Sequence, residues 1–146
     1  MRNAKVFLVT GASRGIGRAL ADELAGRGHK VYGTSRSWSE SAPPLRFQAV
    51  PMDVRDEESV RAAVSRVGEE GRQIDVLVNN AGISHCGPVE ETPVETVRDL
   101  FETNYLGIVR TVRAVLPLMR RQGFGTIVNV GSAGGKIAIP FQAHYS

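Results

Sequence analysis

Cysteine is almost absent, since Cys86 is the only thiol in 146 residues. An internal disulfide is therefore impossible, and a metal centre built from several cysteines is excluded. Aromatic residues are sparse at 6%, and the 18 basic and 15 acidic side chains form no block of like charge. The basic, aromatic-interleaved stripe of a nucleic-acid binder is missing, so no nucleic-acid partner is expected. Only three of the basic residues are lysine (Lys5, Lys30, Lys136), and the arginines, scattered from Arg2 to Arg121, leave a net charge of +3 and a slight bias toward anionic ligands. No apolar run approaches the ~18 residues of a membrane span. The N-terminal run VFLV is too short for a signal-peptide core and leads straight into a glycine loop. A cytoplasmic, reducing location is expected.

With 42% hydrophobic residues there is a core to bury, and the length suits a single domain over 1–146. Short β-rich runs alternate with helical periods. Strands are expected at Lys5–Thr10, Lys30–Ser35, Phe47–Met52, Val76–Val78 and Thr126–Val130. Ile16, Leu20 and Leu24 share one face of a first helix that Gly28 ends. Residues 36–46 are polar, contain proline and read as loop. Asp56, Glu57 and Glu58 supply an acidic start for a second helix carrying Val60, Val64 and Val67, closed by Gly68 and Gly71. Asp75 reads as a capping or solvated turn residue. Thr92, Pro93 and Glu95 spell a capping box with proline at the first helical position, opening a long helix to about Arg120 that Pro117 is expected to disturb. Continuous apolar strands joined by helices call for a doubly wound α/β fold with a parallel sheet, whose ligands bind beyond the carboxyl ends of the strands.

The first strand ends in Thr10-Gly11-Ala12-Ser13-Arg14-Gly15-Ile16-Gly17. Glycines between a strand and a helix let backbone approach a pyrophosphate, whose charge the helix amides meet; a bare tight turn is the other reading of the same residues. A carboxylate at the end of the second strand would bind a free ribose 2′-hydroxyl. Here Thr34-Ser35-Arg36 offers none. A guanidinium at Arg36, with Arg14 closing from the glycine loop, instead suits a 2′-phosphate, which favours NADP(H) over NAD(H). A solvated loop arginine is the alternative. His85 and Cys86 are either pocket-lining or an ordinary loop pair.

Taken together, the glycine loop, Asn79-Asn80-Ala81-Gly82 after the fourth strand, Asn104, and Ser132 with Tyr145 thirteen residues later resemble the short-chain dehydrogenase/reductase family along the whole chain. The resemblance implies a Rossmann-type fold and hydride transfer between a nicotinamide dinucleotide and a carbonyl or secondary alcohol. The segment GSAGG followed by PFQAHYS is similar to members acting on steroids, retinoids and other hydrophobic substrates. Tyr145, Ser132 and Asn104 become the candidate catalytic group: the serine polarises the carbonyl, the tyrosine moves the proton, and the asparagine holds a water of the relay. The candidate cofactor-binding set is Gly11, Ser13, Arg14, Gly15, Ile16, Gly17, Arg36, Asp53, Asn80, Ala81 and Gly82, with Gly11, Gly15 and Gly17 at the pyrophosphate and Asp53 at the adenine. Homo-oligomers are implied for a full-length form.

The family carries a lysine four positions after the tyrosine, whereas this sequence stops at Ser146. The 146-residue chain is thus expected to lack the lysine that lowers the tyrosine pKa, the helix that starts at the tyrosine, and two further strands. A phenol near pKa ~10 is about one part in a thousand ionised at pH 7, a gap of roughly 4 kcal/mol for the oxidation direction. The alternative function is accordingly a catalytically inactive dinucleotide-binding fragment. Ile127, Val128 and Val130 on the fifth strand are expected to lie uncovered.

Overall fold

A computed structural model describes residues 4–38 and 44–145 of the chain. Five parallel strands form one sheet: β1 (Val6–Thr10), β2 (Lys30–Ser35), β3 (Gln48–Pro51), β4 (Val76–Asn79) and β5 (Thr126–Asn129), in the order β3-β2-β1-β4-β5. The chain winds outward from β1 to β3, crosses back, and continues through β4 to β5. β1 and β4 are neighbours although 65 residues separate Thr10 from Val76, and the reversal of winding between them opens a crevice above their carboxyl ends. Part of the expected loop 36–46 lies outside the described residues.

Alternation along the strands sends side chains to two cores. On one face Leu8, Tyr32, Val50, Ile74 and Leu77 pack beneath α2 (Glu57–Gly71) and α4 (Gly107–Gln122), with Val60, Val64, Val67, Val115 and Met119. On the other, Val9, Val31, Phe47, Val76 and Val78 receive α1 (Gly15–Gly26) through Ala21, Leu20 and Leu24. Ile16, expected on that buried face, is 70% exposed. Gly17 takes the inward position, because the helix there lies too close to β4's following loop for any side chain.

Asp56 caps α2 as its acidic start suggests, its carboxylate accepting from the Glu58 and Ser59 amides. Gly68 lies inside that helix, which runs through Gly71 and ends at Arg72 in the left-handed region. Asp75 is neither cap nor solvated turn. Its carboxylate accepts from Val6 N at 2.6 Å and from Gln73 Nε2 at 2.9 Å, pinning the start of β1 to the start of β4. Gln122 pins the other side of the same strand, pairing through its amide with both N and O of Ile74 at 3.0 Å.

The long helix departs from expectation at two points. Thr92 does not cap it; its hydroxyl donates to Pro88 O at 2.8 Å, and Pro93 stands at the N-cap of α3 (Val94–Phe101) with no side-chain bond. The interruption falls at Glu102–Leu106, a π-helical turn between α3 and α4, rather than at Pro117, which α4 carries through. One extra residue in that turn rotates Asn104 toward the carboxyl ends of the strands. No helix among the described residues is long and apolar enough to cross a membrane. Val128 and Val130 are 42% and 39% exposed, while Ile127 is partly covered by the α2/α4 core.

Candidate functional site

Loops at the carboxyl ends of β1 to β4 enclose a cavity of about 440 Å³. Gly11, Ser13, Arg14, Gly15 and Ile16 form one wall, Arg36 and Asp53 another, and Asn80, Ala81 and Gly82 a third. Of the eleven residues expected to bind cofactor, ten thus line one space. Gly17 does not line it and works from behind.

The wall beside β4 is locked to β1. Thr10 Oγ1 accepts from the amides of Asn80 (3.0 Å) and Ala81 (2.9 Å), and Asn80 Nδ2 returns two bonds to Thr10 O (3.0 Å) and Gly11 O (3.1 Å). This close docking dictates glycine. At Gly11 (φ +68°) a Cβ would stand 2.7 Å from Ala81 Cα, and at Gly17 it would collide with the Asn80 amide. The consequence is a cradle whose floor is bare backbone.

The wall beside β2 and β3 is cationic. Arg14 and Arg36 are exposed on the cavity, and neither makes an ion pair among the described residues. The third arginine, Arg55, is engaged with Asp53 at 3.5 Å and Asp99 at 3.4 Å. Among the described residues Asp53 is the only acid in the lining, and Arg55 already matches its charge. Arg14 and Arg36 are the two lining guanidiniums left without an acidic partner among the described residues.

Residues not singled out from the sequence complete the lining: Thr34, Met52, Val54, Ile83 and Thr103 among them. Thr34 is 1% exposed, and its buried Oγ1 has no hydrogen-bond partner among the described residues. No sequence signal marks it, since the same threonine in a strand is ordinarily satisfied by neighbours.

Ser132, Asn104 and Tyr145 stand outside this lining. The Asn104 side chain is taken by the backbone of Ile83, accepting from its N at 2.9 Å and donating to its O at 2.8 Å, and so fixes the loop after Gly82. Ser132 begins a short 3-10 turn, Ala133–Gly135, where Ser132 Oγ accepts from Gly134 N at 3.1 Å. The bond uses a lone pair and leaves the hydroxyl proton free to be donated. Tyr145 is half-buried, and its amide donates to Gln142 O at 2.9 Å. Among the described residues no hydrogen bond joins the Ser132 and Tyr145 side chains. His85 does not line the cavity; its Nε2 meets Thr92 Oγ1 at 3.1 Å, and because that hydroxyl donates to Pro88 O, His85 is the donor. Cys86 is exposed.

A parallel sheet with helices on both faces and a glycine-cradled cavity at its switch point defines a Rossmann-like α/β protein. Residues 5–146 match the short chain dehydrogenase family, and the chain belongs to it. It is 43% identical over 142 residues to a 3-ketodihydrosphingosine reductase of Bacteroides thetaiotaomicron, covering 97% of this chain and 52% of that one. It is 40% identical to human 17-beta-hydroxysteroid dehydrogenase type 1, covering 96% and 46%. Among solved structures, an actinorhodin polyketide ketoreductase with NADPH superposes with a TM-score of 0.89 at 34% identity, covering 99% of this chain and 59% of that one. The chain thus spans about half the length of the curated relatives it matches. Members of the family are oxidoreductases that use nicotinamide dinucleotides.

Proposed function

We propose that this chain carries the cofactor-binding half and the Ser132–Tyr145 pair of an NADP(H)-dependent carbonyl reductase or alcohol dehydrogenase acting on a small hydrophobic substrate. The observation that carries the cofactor choice is the pair of guanidiniums, Arg14 and Arg36, which line the cavity without an ion-pair partner among the described residues. A 2′-phosphate would supply the missing negative charge; a free ribose diol would leave both uncompensated. The cradle also fits a pyrophosphate, because glycine at positions 11 and 15 exposes main chain at the start of α1. That the ketoreductase relative holds NADPH agrees with this reading. The hydrophobic substrate class rests on the steroid and sphingoid relatives.

When bound, NADPH supplies the hydride that reaches the carbonyl carbon. The protein's task is to manage the charge that then develops on oxygen. Ser132, its lone pair already accepting from Gly134 N, donates its proton toward that oxygen. Tyr145 delivers the proton that completes the alcohol, and in the oxidation direction takes it back. Asn104 holds Ile83 and with it the loop that borders the cavity.

The test is binding and turnover on the same preparation. NADPH is expected to bind the purified chain at least tenfold more tightly than NADH, as two charge-assisted contacts require, each worth about 1.5–3 kcal/mol. Ketone-dependent NADPH oxidation that Tyr145→Phe abolishes supports the catalytic assignment. Binding without turnover would reduce the chain to a cofactor-binding fragment, and equal affinities would remove the assignment of NADP(H).

A further inference from the structure

Beyond β5 the chain is tied back to the body of the protein by one hydrogen bond among the described residues, Gly87 N donating to Phe141 O at 2.8 Å. The other hydrogen bonds of residues 131–145 among those described are internal, Gly134 N to Ser132 Oγ, Gln142 N to Ile139 O and Tyr145 N to Gln142 O among them. Phe141 offers its carbonyl from a costly conformation. Its φ is +63°, in the left-handed region that a bulky side chain rarely adopts, and the residue is 63% exposed, so side-chain packing does not hold the backbone there.

The Gly87 end of this contact is itself braced. His85 Nε2 donates to Thr92 Oγ1 at 3.1 Å, and that hydroxyl donates to Pro88 O at 2.8 Å, so the pair closes the loop on either side of Gly87. Glycine is required between them, because a Cβ at position 87 would stand 2.9 Å from His85 Nε2 and 3.4 Å from Thr92 Oγ1. We infer that His85 is a positioning residue for Tyr145: with Thr92 it holds the Gly87 amide, and that amide, through Phe141 O, sets the path of the chain into Tyr145 four residues on. The inference rests on the reading of Tyr145 as the proton donor above. It adds a support that the cofactor site does not share, since none of His85, Gly87, Thr92 and Phe141 lines the cavity. Breaking the contact frees Phe141 to leave its left-handed conformation and displaces Tyr145, while the glycine cradle and its arginines stay in place.

His85→Ala removes the donor, and His85→Gln puts an amide N–H close to where Nε2 stood. Hydrogen exchange read by mass spectrometry is expected to quicken about three- to tenfold over 84–91 and 139–145 in His85→Ala, the worth of one neutral hydrogen bond, with 76–82 unchanged. Ketone-dependent NADPH oxidation should lose a similar factor in kcat while NADPH affinity, from calorimetric titration, holds at the parental value. Thr92→Val, which deletes the same bond from its other end, should reproduce both effects, and His85→Gln should restore both. Parental exchange over 139–145 in His85→Ala and Thr92→Val, or a loss that His85→Gln does not restore, would overturn the inference. A parent that binds NADPH without turnover would instead refute the proton-donor reading of Tyr145, and exchange over 139–145 would still decide whether His85 holds that segment.

Discussion

Thr10 and Thr34 face each other across β1 and β2, yet replacement by valine should act on them with opposite sign. Thr10 Oγ1 accepts from two backbone amides, Asn80 N at 3.0 Å and Ala81 N at 2.9 Å, and Thr10 is 1% exposed. Thr10→Val removes the acceptor from both at once and offers them nothing else. An amide left unpaired in the interior costs about 1–3 kcal/mol, and because both are only partly buried the lower end applies, giving about 2–3 kcal/mol for the pair. The added methyl returns about 0.8 kcal/mol, for a net loss of about 1.2–2.2 kcal/mol. With a urea slope of about 2 kcal/mol/M, the unfolding midpoint should fall by about 0.6–1.1 M. Far-UV circular dichroism reads this transition, and Trp38, the single tryptophan, gives an independent fluorescence probe. Thr10→Ser, which restores the oxygen, should recover most of the loss. A Thr10→Val midpoint within about 0.3 M of the parent would mean that the two amides find other partners, and the locking of the cavity wall to β1 would be refuted.

Gly17→Ala should destabilise by about 1–3 kcal/mol in the same assay and lower NADPH affinity, because the new methyl meets the Asn80 amide and Gly11 O; parental values would show that the helix has room to move. Arg36→Asp should weaken NADPH binding by at least about tenfold while leaving NADH unchanged or improved, and a preserved preference in paired titrations would remove Arg36 from the 2′-phosphate site. Burial is the largest single influence on Asp22 and opposes its ionisation, but the Arg18 and Arg46 bonds and charges together hold its carboxyl below the ordinary 3.8. Its contribution to stability is therefore present above that value and lost as pH falls through the lowered one, so Asp22→Asn should be less stable at neutral pH and flatter along the acid limb of a urea-midpoint profile. The exposed Val128, Val130, Ile137 and Phe141 should drive self-association of the 146-residue chain, visible as concentration-dependent sedimentation; a sharp monomer boundary at all concentrations would contradict this.

The five strands were legible because each is a short run rich in β-branched or apolar residues bounded by turn signals, and the cavity because its three walls are built from loops that follow those strands. Reading failed where a tertiary contact overruled a local preference. Ile16 fits the apolar period of α1 but yields the inward position to Gly17, which β4's loop crowds. Pro117 was the obvious breaker of the long helix, yet it costs one main-chain bond, to Arg113 O, and the helix continues; the actual break is at Asn104, whose amide is drawn out to Ile83. Thr92 had the residue type and spacing of a cap, but Pro88 O captured its hydroxyl. Asp75 looked like a turn residue because its partner, Val6 N, lies 69 positions away. Whether a threonine is a lock, as at Thr10, or an unpaired donor, as at Thr34, depends wholly on what the fold brings beside it.

The bonds that hold Asn80 and Ala81 to Thr10 and Gly11 join residues about seventy positions apart in the chain. None of them can form until β1 and β4 have paired, so the cavity has no local precursor in the folding reaction and is completed only when the longest loop closure has been made. The same property runs in reverse. Releasing the Asn80 and Ala81 amides requires separating two central strands, and their hydrogen exchange should follow the global opening of the sheet, whereas the Gly87 amide, held among the described residues only by Phe141 O at 2.8 Å, should exchange through local opening of its loop. The rim of the cavity can breathe, but its floor unfolds only with the protein.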